Sequence, residues 1–487
     1  AKSRAVSKVF ARWSQLAPAM RDLEGIGHDA TVTDAERHAR VAPIWARVEA
    51  FLRDAPSDSA SQAAALALAG YARALSGGGD GDLFARASRA DSDVPYGALL
   101  EALSIFSRYV GAQQMPAVTT MGSGLVFEPT PGESPEMVVW RTRIEGLLAA
   151  AERCRIWGRE GAEDFAAAVR GLRAMQGGRL EEADQALTLA LSGPDLRAFE
   201  TGLLLARSKA RYLRKDFDGA LQDMAPVLRV RERDPEAWYF QGEVASGKAQ
   251  EMALRGEDSG RVLEESIHAY DVCVNLDPGR SSARNSRAVA WAALADHIVA
   301  KGEDPSQAFD RAIEDYGEAI RLFPDAAEPR LNRSFAQQRL ARYQASRGQD
   351  PRAAIQAAIK DASDALAIDP SNASAFNNRG IAYLDLGEAE SERGTDPRPT
   401  WGKAIGDFDA ACVRDPRHAD ACGNRGLAWL DIAEWEASRG MDARESFAKA
   451  LSAYDEAIRI DPANAGFYNS RGATRRSLCA VLTRAGG

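Results

Sequence analysis

The chain has 487 residues, of which 45% are hydrophobic and 27% charged, an ordinary composition for a soluble globular protein. The net charge of −9 argues against a nucleic-acid-binding protein, and no apolar run approaches the roughly 20 residues that a membrane-inserted helix needs. Five widely spaced cysteines without a CxxC pair favour reduced thiols in a cytoplasmic chain over a disulfide framework or a zinc site: Cys154, Cys273, Cys412, Cys422 and Cys479.

The first part of the chain, residues 1–112, is predicted to be an N-terminal helical region. Apolar residues recur there at helical spacing in Val6–Leu23, Thr33–Arg53, Ser59–Ala74 and Val94–Val110. Residues 113–134 are rich in Pro, Gly and Thr and predict a loop or linker. In 135–235 helical spacing resumes with Pro135–Ile156, followed by two helical hairpins of ordinary repeat length.

Residues 236–462 contain five units with a period of 46 residues. The spacing is set by four residue types: Pro278, Pro324, Pro370, Pro416 and Pro462; Arg287, Arg333, Arg379, Arg425 and Arg471; Gly302, Gly348, Gly394 and Gly440; Asp304, Asp350, Asp396 and Asp442. Within one unit, Gly394 suits the left-handed residue that ends a helix, and Asp396 suits the cap of a second helix. Each unit is therefore predicted to be a helical hairpin that stacks on its neighbours to bury its apolar face. Residues 463–487 predict a C-terminal capping helix and tail.

The units resemble tetratricopeptide repeats (TPR). The similarity lies in an aromatic and small-residue pattern on the first helix and an Ala-aromatic-Ala-Pro pattern on the second, here Phe376, Gly380, Tyr383, Ala404, Phe408, Ala411 and Pro416. The unit departs from the usual length of about 34 residues by about 12 more, which we expect to lengthen both helices. The resemblance implies an all-α fold, a right-handed superhelical solenoid of helical hairpins preceded by the N-terminal helical region.

A polar series recurs along the first helices, which line the concave face of such solenoids. Its members are Ser286, Asn332, Asn378, Asn424 and Ser470, preceded in three units by Asn285, Asn377 and Asn469. Asparagine carries two donors and an acceptor, and the resemblance implies that these side chains bind the backbone of a peptide. One turn further along, Arg339, Asp385 and Asp431 would supply charge selectivity. The alternative is that the polar residues are merely tolerated at a helix start.

A second charged series accompanies the first. Arg333, Arg379 and Arg425 on first helices recur in step with Asp315, Asp361 and Asp407 on second helices. We predict ion pairs between the two helices, with a role facing a ligand as the alternative.

The resemblance implies a non-catalytic protein-binding scaffold that holds a peptide or helix of a partner protein and needs no cofactor. A second interpretation is that the chain is the regulatory or sensory region of a larger signalling protein, because units with the turn Arg393–Pro397 resemble those attached to bacterial serine/threonine protein kinases. The first residue, Ala1, is compatible with a chain cut from a longer protein. Self-assembly into homo-oligomers through the repeat ends is a third interpretation, and an enzyme within the first 160 residues is a fourth.

Overall fold

The computed structural model of the protein describes residues 16–27, 29, 31–54, 59–75, 83, 86, 87, 90, 118–121, 124–127, 163–193 and 200–485. Apart from one short pair of strands, the chain within these ranges is helical and mostly forms consecutive helical hairpins, which confirms the all-α fold class. The chain divides into two compact units between Gly279 and Arg280, and residues 118–127 belong to the second unit. The predicted helices Val94–Val110 and Pro135–Ile156 lie outside the described residues, as do residues 6–15 of the first predicted helix.

The first unit contains nine described helices. They are α1 (Ala17–Gly27), α2 (Asp34–Arg53), α3 (Ser59–Leu75), α4 (Glu163–Gln176), α5 (Leu180–Ser192), α6 (Glu200–Leu213), α7 (Phe217–Val230), α8 (Pro235–Leu254) and α9 (Gly260–Leu276). Helices α4 to α9 form three hairpins. A buried ion pair joins α1 to the residue that follows α7, since the Arg231 guanidinium donates to the Glu24 carboxylate at 2.8 Å.

The second unit begins with a short antiparallel pair of strands, β1 (Val118–Met121) and β2 (Gly124–Phe127). It lies inside the segment that was predicted to be a loop. The Val, Thr and Phe residues of these strands favour extended backbone. The segment was predicted to be a loop because the residues around them are rich in Pro and Gly.

Four hairpins and a last helix follow in the second unit, with helices about as long as those of the α8–α9 hairpin. They are α10 (Ser281–Ala300), α11 (Ser306–Leu322), α12 (Glu328–Ser346), α13 (Arg352–Ile368), α14 (Ala373–Glu392), α15 (Arg398–Arg414), α16 (Ala419–Ser438), α17 (Arg444–Ile460) and α18 (Ala465–Ala485). In each hairpin the first helix has 19 or 20 residues and the second has 17. No described helix is long and apolar enough to cross a membrane.

The turn inside each hairpin follows the predicted glycine. Gly394 has a φ of 75°, and the N–H of Thr395 donates to the carbonyl of Glu390 at 3.0 Å, which closes the last turn of α14. Asp396 then accepts a hydrogen bond from the backbone N–H of Arg398 at 3.1 Å, which satisfies a free donor at the start of α15. Because the same geometry recurs at every period, all four hairpins turn in the same way; the equivalent glycines are Gly302, Gly348 and Gly440.

The core runs continuously through neighbouring hairpins. Gly380 on α14 lies so close to Phe408 on α15 that an added Cβ would stand 2.6 Å from the ring. The buried Phe408 shares its cluster with Leu384 and with Ile432 of the next hairpin. Each hairpin thus buries part of its apolar surface against its neighbour, as expected for a repeat that is not stable alone.

Arginine–aspartate ion pairs tie the two helices of a hairpin together, as predicted. The Arg379 guanidinium donates to both carboxylate oxygens of Asp407, at 2.8 and 2.7 Å, and also to the Ser363 hydroxyl of the preceding hairpin at 3.2 Å. Equivalent two-bond pairs are Arg287–Asp315 and Arg333–Asp361. Arg425 departs from the pattern because Ala453 occupies the position of the aspartate. It pairs instead with Asp409 and Glu456.

The first helices form one face of the second unit. Successive first helices contact each other directly, α10 with α12, α12 with α14, α14 with α16, and α16 with α18, whereas the second helices approach one another less closely. We call the surface formed by α10, α12, α14, α16 and α18 the inner face.

Candidate functional site

All the predicted site residues lie on the helices of the inner face, in two rows. The amide row contains Asn285, Ser286, Asn332, Asn377, Asn378, Asn424, Asn469 and Ser470. The charged row, about two turns further along each helix, contains Arg339, Asp385 and Asp431.

Amide side chains bond to each other across neighbouring helices. The side chain of Asn332 donates to the amide oxygen of Asn285 at 3.2 Å, and that of Asn424 donates to Asn377 at 3.0 Å. Asn285 in turn donates to the Glu328 carboxylate at 2.9 Å. Part of the amide row therefore joins hairpins to each other, a role that the repeat period of 46 residues does not suggest.

The remaining hydrogen-bonding capacity centres on Asn378. Its side-chain amide has no hydrogen-bond partner within the described ranges, while its backbone carbonyl accepts from Gln338 at 3.2 Å. In the same part of the chain, the amide oxygens of Asn332 and Asn424 accept no hydrogen bond. At the end of the row Asn469 is exposed, and Ser286 and Ser470 are half-buried. The row thus retains acceptors and two amides that have no hydrogen bond within the described part of the chain, those of Asn378 and Asn469.

Each residue of the charged row, and Ser477 at the equivalent position of α18, interacts with the residue 43 positions before it on the preceding first helix. Three such contacts are complementary: Arg339 with Asp296, Asp385 with Arg342 at 3.2 Å, and Ser477 with Glu434 at 2.8 Å. These contacts neutralise or satisfy the polar groups at three of the four junctions between first helices.

The fourth junction, between α14 and α16, brings two carboxylates together. The same spacing places Asp431 opposite Glu388, and burial together with the negative charges of Glu388 and Glu434 raises the pKa of Asp431 to about 7. No arginine, lysine or histidine pairs with Asp431 among the residues that the structure describes. Glu388 and Glu434 are exposed. The inner face therefore carries uncompensated negative charge at this junction.

Burial also affects the paired members of the row. It raises the pKa of Asp385 even though Arg342 lies beside it. Burial, with the nearby charge of Arg342, lowers the pKa of Arg339 to about 10, and the Arg339 guanidinium lies 5.1 Å from the centre of the Phe335 ring. The charged row is thus partly removed from water, so that an unpaired charge in it is costly.

Apolar side chains separate the two rows. Phe335, Ile381 and Leu427 recur every 46 residues on α12, α14 and α16, and Leu427 is 41% exposed whereas the other two are half-buried. Leu427 lies one helical turn before Asp431, so the two side chains are neighbours on the same helix surface. An exposed apolar side chain therefore stands beside the uncompensated acid.

Sequence reasoning did not identify four residues of this arrangement. Asp296, Arg342, Glu388 and Glu434 are spaced by 46 and lie 43 positions before the charged row and its continuation at Ser477. A comparison of charges between residues 43 positions apart finds the oppositely charged pairs. It also finds the one junction at which two acids, Asp431 and Glu388, face each other. Within the described residues, no group of three or more His, Cys, Asp or Glu side chains is arranged to hold a metal ion.

Comparisons with known proteins concern the fold. No family model and no curated protein matches the sequence. A tetratricopeptide repeat protein from Parabacteroides merdae is 12% identical, with a TM-score of 0.43 over 65% of this chain and 100% of its own. The C-terminal part of a TPR repeat-containing protein from Cytophaga hutchinsonii is 15% identical, with a TM-score of 0.38 over 62% and 97%. YrrB, described as a TPR protein with an unusual peptide-binding site, is 17% identical, with a TM-score of 0.31 over 52% and 100%. The solved structures to which the chain is similar thus include TPR repeat proteins, and all three TM-scores lie below 0.5.

Proposed function

We propose that the chain is a non-catalytic protein-binding scaffold, which holds an extended segment of a partner protein along the inner face of the second unit. The junction between α14 and α16 carries the proposal. Asn378 on α14 is 8% exposed, and its amide has no hydrogen-bond partner among the described residues; the exposed Leu427 and the uncompensated Asp431 lie on the neighbouring first helix α16. Together they offer a partner a hydrogen-bonding group, an apolar contact and a negative charge.

Each group has a defined recognition role. The amide of Asn378 bonds to a backbone N–H or C=O group of the segment, and Leu427 contacts one of its apolar side chains. A lysine or arginine of the segment pairs with Asp431 and Glu388, and so supplies the positive charge that Arg342 and Arg339 supply at the other junctions. We therefore expect a preference for a segment with a basic residue close to an apolar one.

A peptide library displayed to the full chain tests this preference. Enriched peptides should carry Lys or Arg near an apolar residue, and their affinity should fall about tenfold in Leu427→Ser, which corresponds to roughly 1.4 kcal/mol. Val413→Ser is the matched control, because Val413 is 78% exposed but lies on the second helix α15. Enrichment without basic residues, or equal losses in both variants, would count against the proposed site.

A pair of adjacent asparagines separates binding from stability. Asn378→Ala should weaken peptide binding and leave stability unchanged, because its amide has no partner to lose. Asn377→Ala should instead cost about 1 kcal/mol of stability, since it removes the acceptor of the Asn424 hydrogen bond. Calorimetric titration with an enriched peptide and urea unfolding measure the two effects. A binding loss confined to the Asn377 variant would place the contact elsewhere.

The other interpretations remain predictions with their own tests. Attachment to a bacterial serine/threonine kinase predicts a kinase domain in the same open reading frame, and a cytoplasmic location predicts recovery of the chain from that fraction. Self-assembly is favoured by one observation, the exposed Tyr468 and Leu482 on the last helix α18. Light scattering that stays at the monomer mass over a concentration series would refute it.

A further inference from the structure

Two cysteines meet at the turn between the last two hairpins. Cys412 lies in the final turn of α15 and Cys422 in the first turn of α16, and their sulfur atoms are 2.7 Å apart. Cys422 is 1% exposed and packs in one cluster with Phe467 and Ala457, whereas Cys412 is half-buried at the edge of that cluster. The two side chains therefore bridge the second helix of one hairpin and the first helix of the next.

This contact differs from its counterparts in the other repeats. At the preceding turn the two positions hold Leu366 and Phe376, which pack in one apolar cluster, and at the following turn they hold Ile458 and Tyr468. Both partners of one contact are thus cysteine at this turn alone among the three. Two adjacent thiols thus stand where the preceding repeat has a large apolar contact, and the turn is otherwise equivalent, since Asp415 accepts from the N–H of Arg417 at 2.9 Å.

We propose that Cys412 and Cys422 form a disulfide when the chain meets a small-molecule disulfide such as oxidised glutathione. Cys412 is the more exposed of the two sulfurs, and its thiolate attacks one sulfur of the small disulfide, which releases one small thiol and leaves a mixed disulfide on Cys412. The hydrogen bond to Cys422 and burial raise the pKa of Cys412, so only a small fraction of it is thiolate when this step begins. The Cys422 thiolate then attacks the Cys412 sulfur and releases the second small thiol. Two protein thiols and one small disulfide become one protein disulfide and two small thiols, so the small disulfide takes up both electrons and both protons.

The surroundings of Cys422 favour the second step. The hydrogen bond between the two thiols lowers the pKa of Cys422, and the guanidinium of Arg425 acts in the same direction, against burial and the charge of Glu456. In the mixed disulfide Cys412 has no S–H left to donate, so the second step is favoured by the 2.7 Å separation of the two sulfur atoms and by the positive charge of Arg425. The resulting bond ties the α14–α15 hairpin to the α16–α17 hairpin.

The test uses the full chain, reduced and then incubated with increasing oxidised glutathione. We expect two of the five thiols to disappear at a ratio where Cys412→Ser and Cys422→Ser form no such link. Peptide mapping of the wild-type chain should show residues 412 and 422 joined, with a mass about 2 Da below that of the two thiol peptides together. Cys479→Ser, which removes an exposed thiol on α18, is the matched control and should oxidise as the wild type does.

Two results would overturn the proposal. One is a stable glutathione adduct on Cys412 with no linked peptide, and the other is a link between two chains through Cys479. The thermal midpoint gives a second measurement, which should rise on oxidation of the wild type and return on reduction. Because the peptide map is made on the wild type, it decides the question even if a serine variant does not fold.

Discussion

Replacing Asp431 with asparagine should make the chain more stable while weakening its proposed binding activity. Asp431 sits opposite Glu388 without a cation, and its pKa is raised from 3.8 to about 7. A shift of about 3 units corresponds to roughly 4 kcal/mol if the site were fully dry, at about 1.4 kcal/mol per unit. Because the carboxylate is half-buried and partly screened by water, we expect Asp431→Asn to stabilise the chain by about 1–3 kcal/mol at pH 8.

The effect should depend on pH in a defined direction. Between pH 3.8 and about 7 the folded chain keeps the Asp431 proton that the unfolded chain has lost, so this group makes stability fall as pH rises through that window. The advantage of the asparagine variant should therefore be small at pH 4 and complete above pH 7. Urea unfolding midpoints at pH 4.5, 6 and 8 would measure it. A variant that is less stable at pH 8, or that shows the wild-type pH dependence, would refute the assignment of an uncompensated acid.

The same substitution made one repeat earlier is the control. Asp385→Asn also removes a carboxylate whose pKa is raised by burial, but it takes the partner from Arg342, so it should stabilise the chain less than Asp431→Asn does. For binding, Asp431→Asn should lower the affinity for a basic peptide about tenfold, or ~1.4 kcal/mol, and the loss should shrink in high salt. A gain in stability with unchanged affinity would confirm that Asp431 and Glu388 repel each other, and would show that Asp431 does not contact the peptide.

Three further predictions concern stability and can be followed by urea unfolding. Gly394→Ala should cost about 1–2 kcal/mol of stability because the φ of Gly394 is 75°. Gly402→Ala should instead stabilise the chain by roughly 0.5–1 kcal/mol, because an added Cβ meets nothing within 4 Å there. Equal effects of the two substitutions would contradict the turn geometry. Asp407→Asn should cost about 1–3 kcal/mol of stability because it removes the charged pair with Arg379. Unchanged stability would show that the attraction between the two charges only offsets the free energy needed to bury them. Burial lowers the pKa of Lys209 to about 7, so stability should rise between pH 7 and 10, and Lys209→Met should flatten that rise; parallel slopes would argue against a neutral buried lysine.

Features inside one hairpin were predictable from the sequence. Gly394 and Asp396 satisfy local backbone requirements, and the Arg379–Asp407 pair joins two helices of one repeat across a fixed separation of 28 residues. Such features depend only on helix geometry and the turn. Once the period of 46 residues was recognised, each of them could be placed in every unit, and their departures, such as Ala453 opposite Arg425, were also visible in the sequence.

Contacts between hairpins were not predictable in the same way. The repeat period does not reveal the stagger between neighbouring first helices, which decides which positions meet. The structure sets that stagger so that Asn424 meets Asn377, 47 positions earlier, and Asp431 meets Glu388, 43 positions earlier. The asparagines were therefore predicted only as ligand-facing groups or tolerated polar residues. The residues opposite the charged row, Asp296, Arg342 and Glu388, were not predicted. They determine at which junction a charge has no partner of opposite sign.

The regular turn between hairpins has a consequence for how such a chain can change over generations. Loss of residues 369–414, one complete period, would join Ile368 to Asp415 and restore the same Asp-Pro turn. Arg342 and Asp431 would then be 43 positions apart, the separation that now joins Arg342 to Asp385. A single in-frame deletion would thus place Arg342 opposite Asp431 and remove the uncompensated negative charge. A duplication could create a second junction with uncompensated charge, and neither change needs a point mutation.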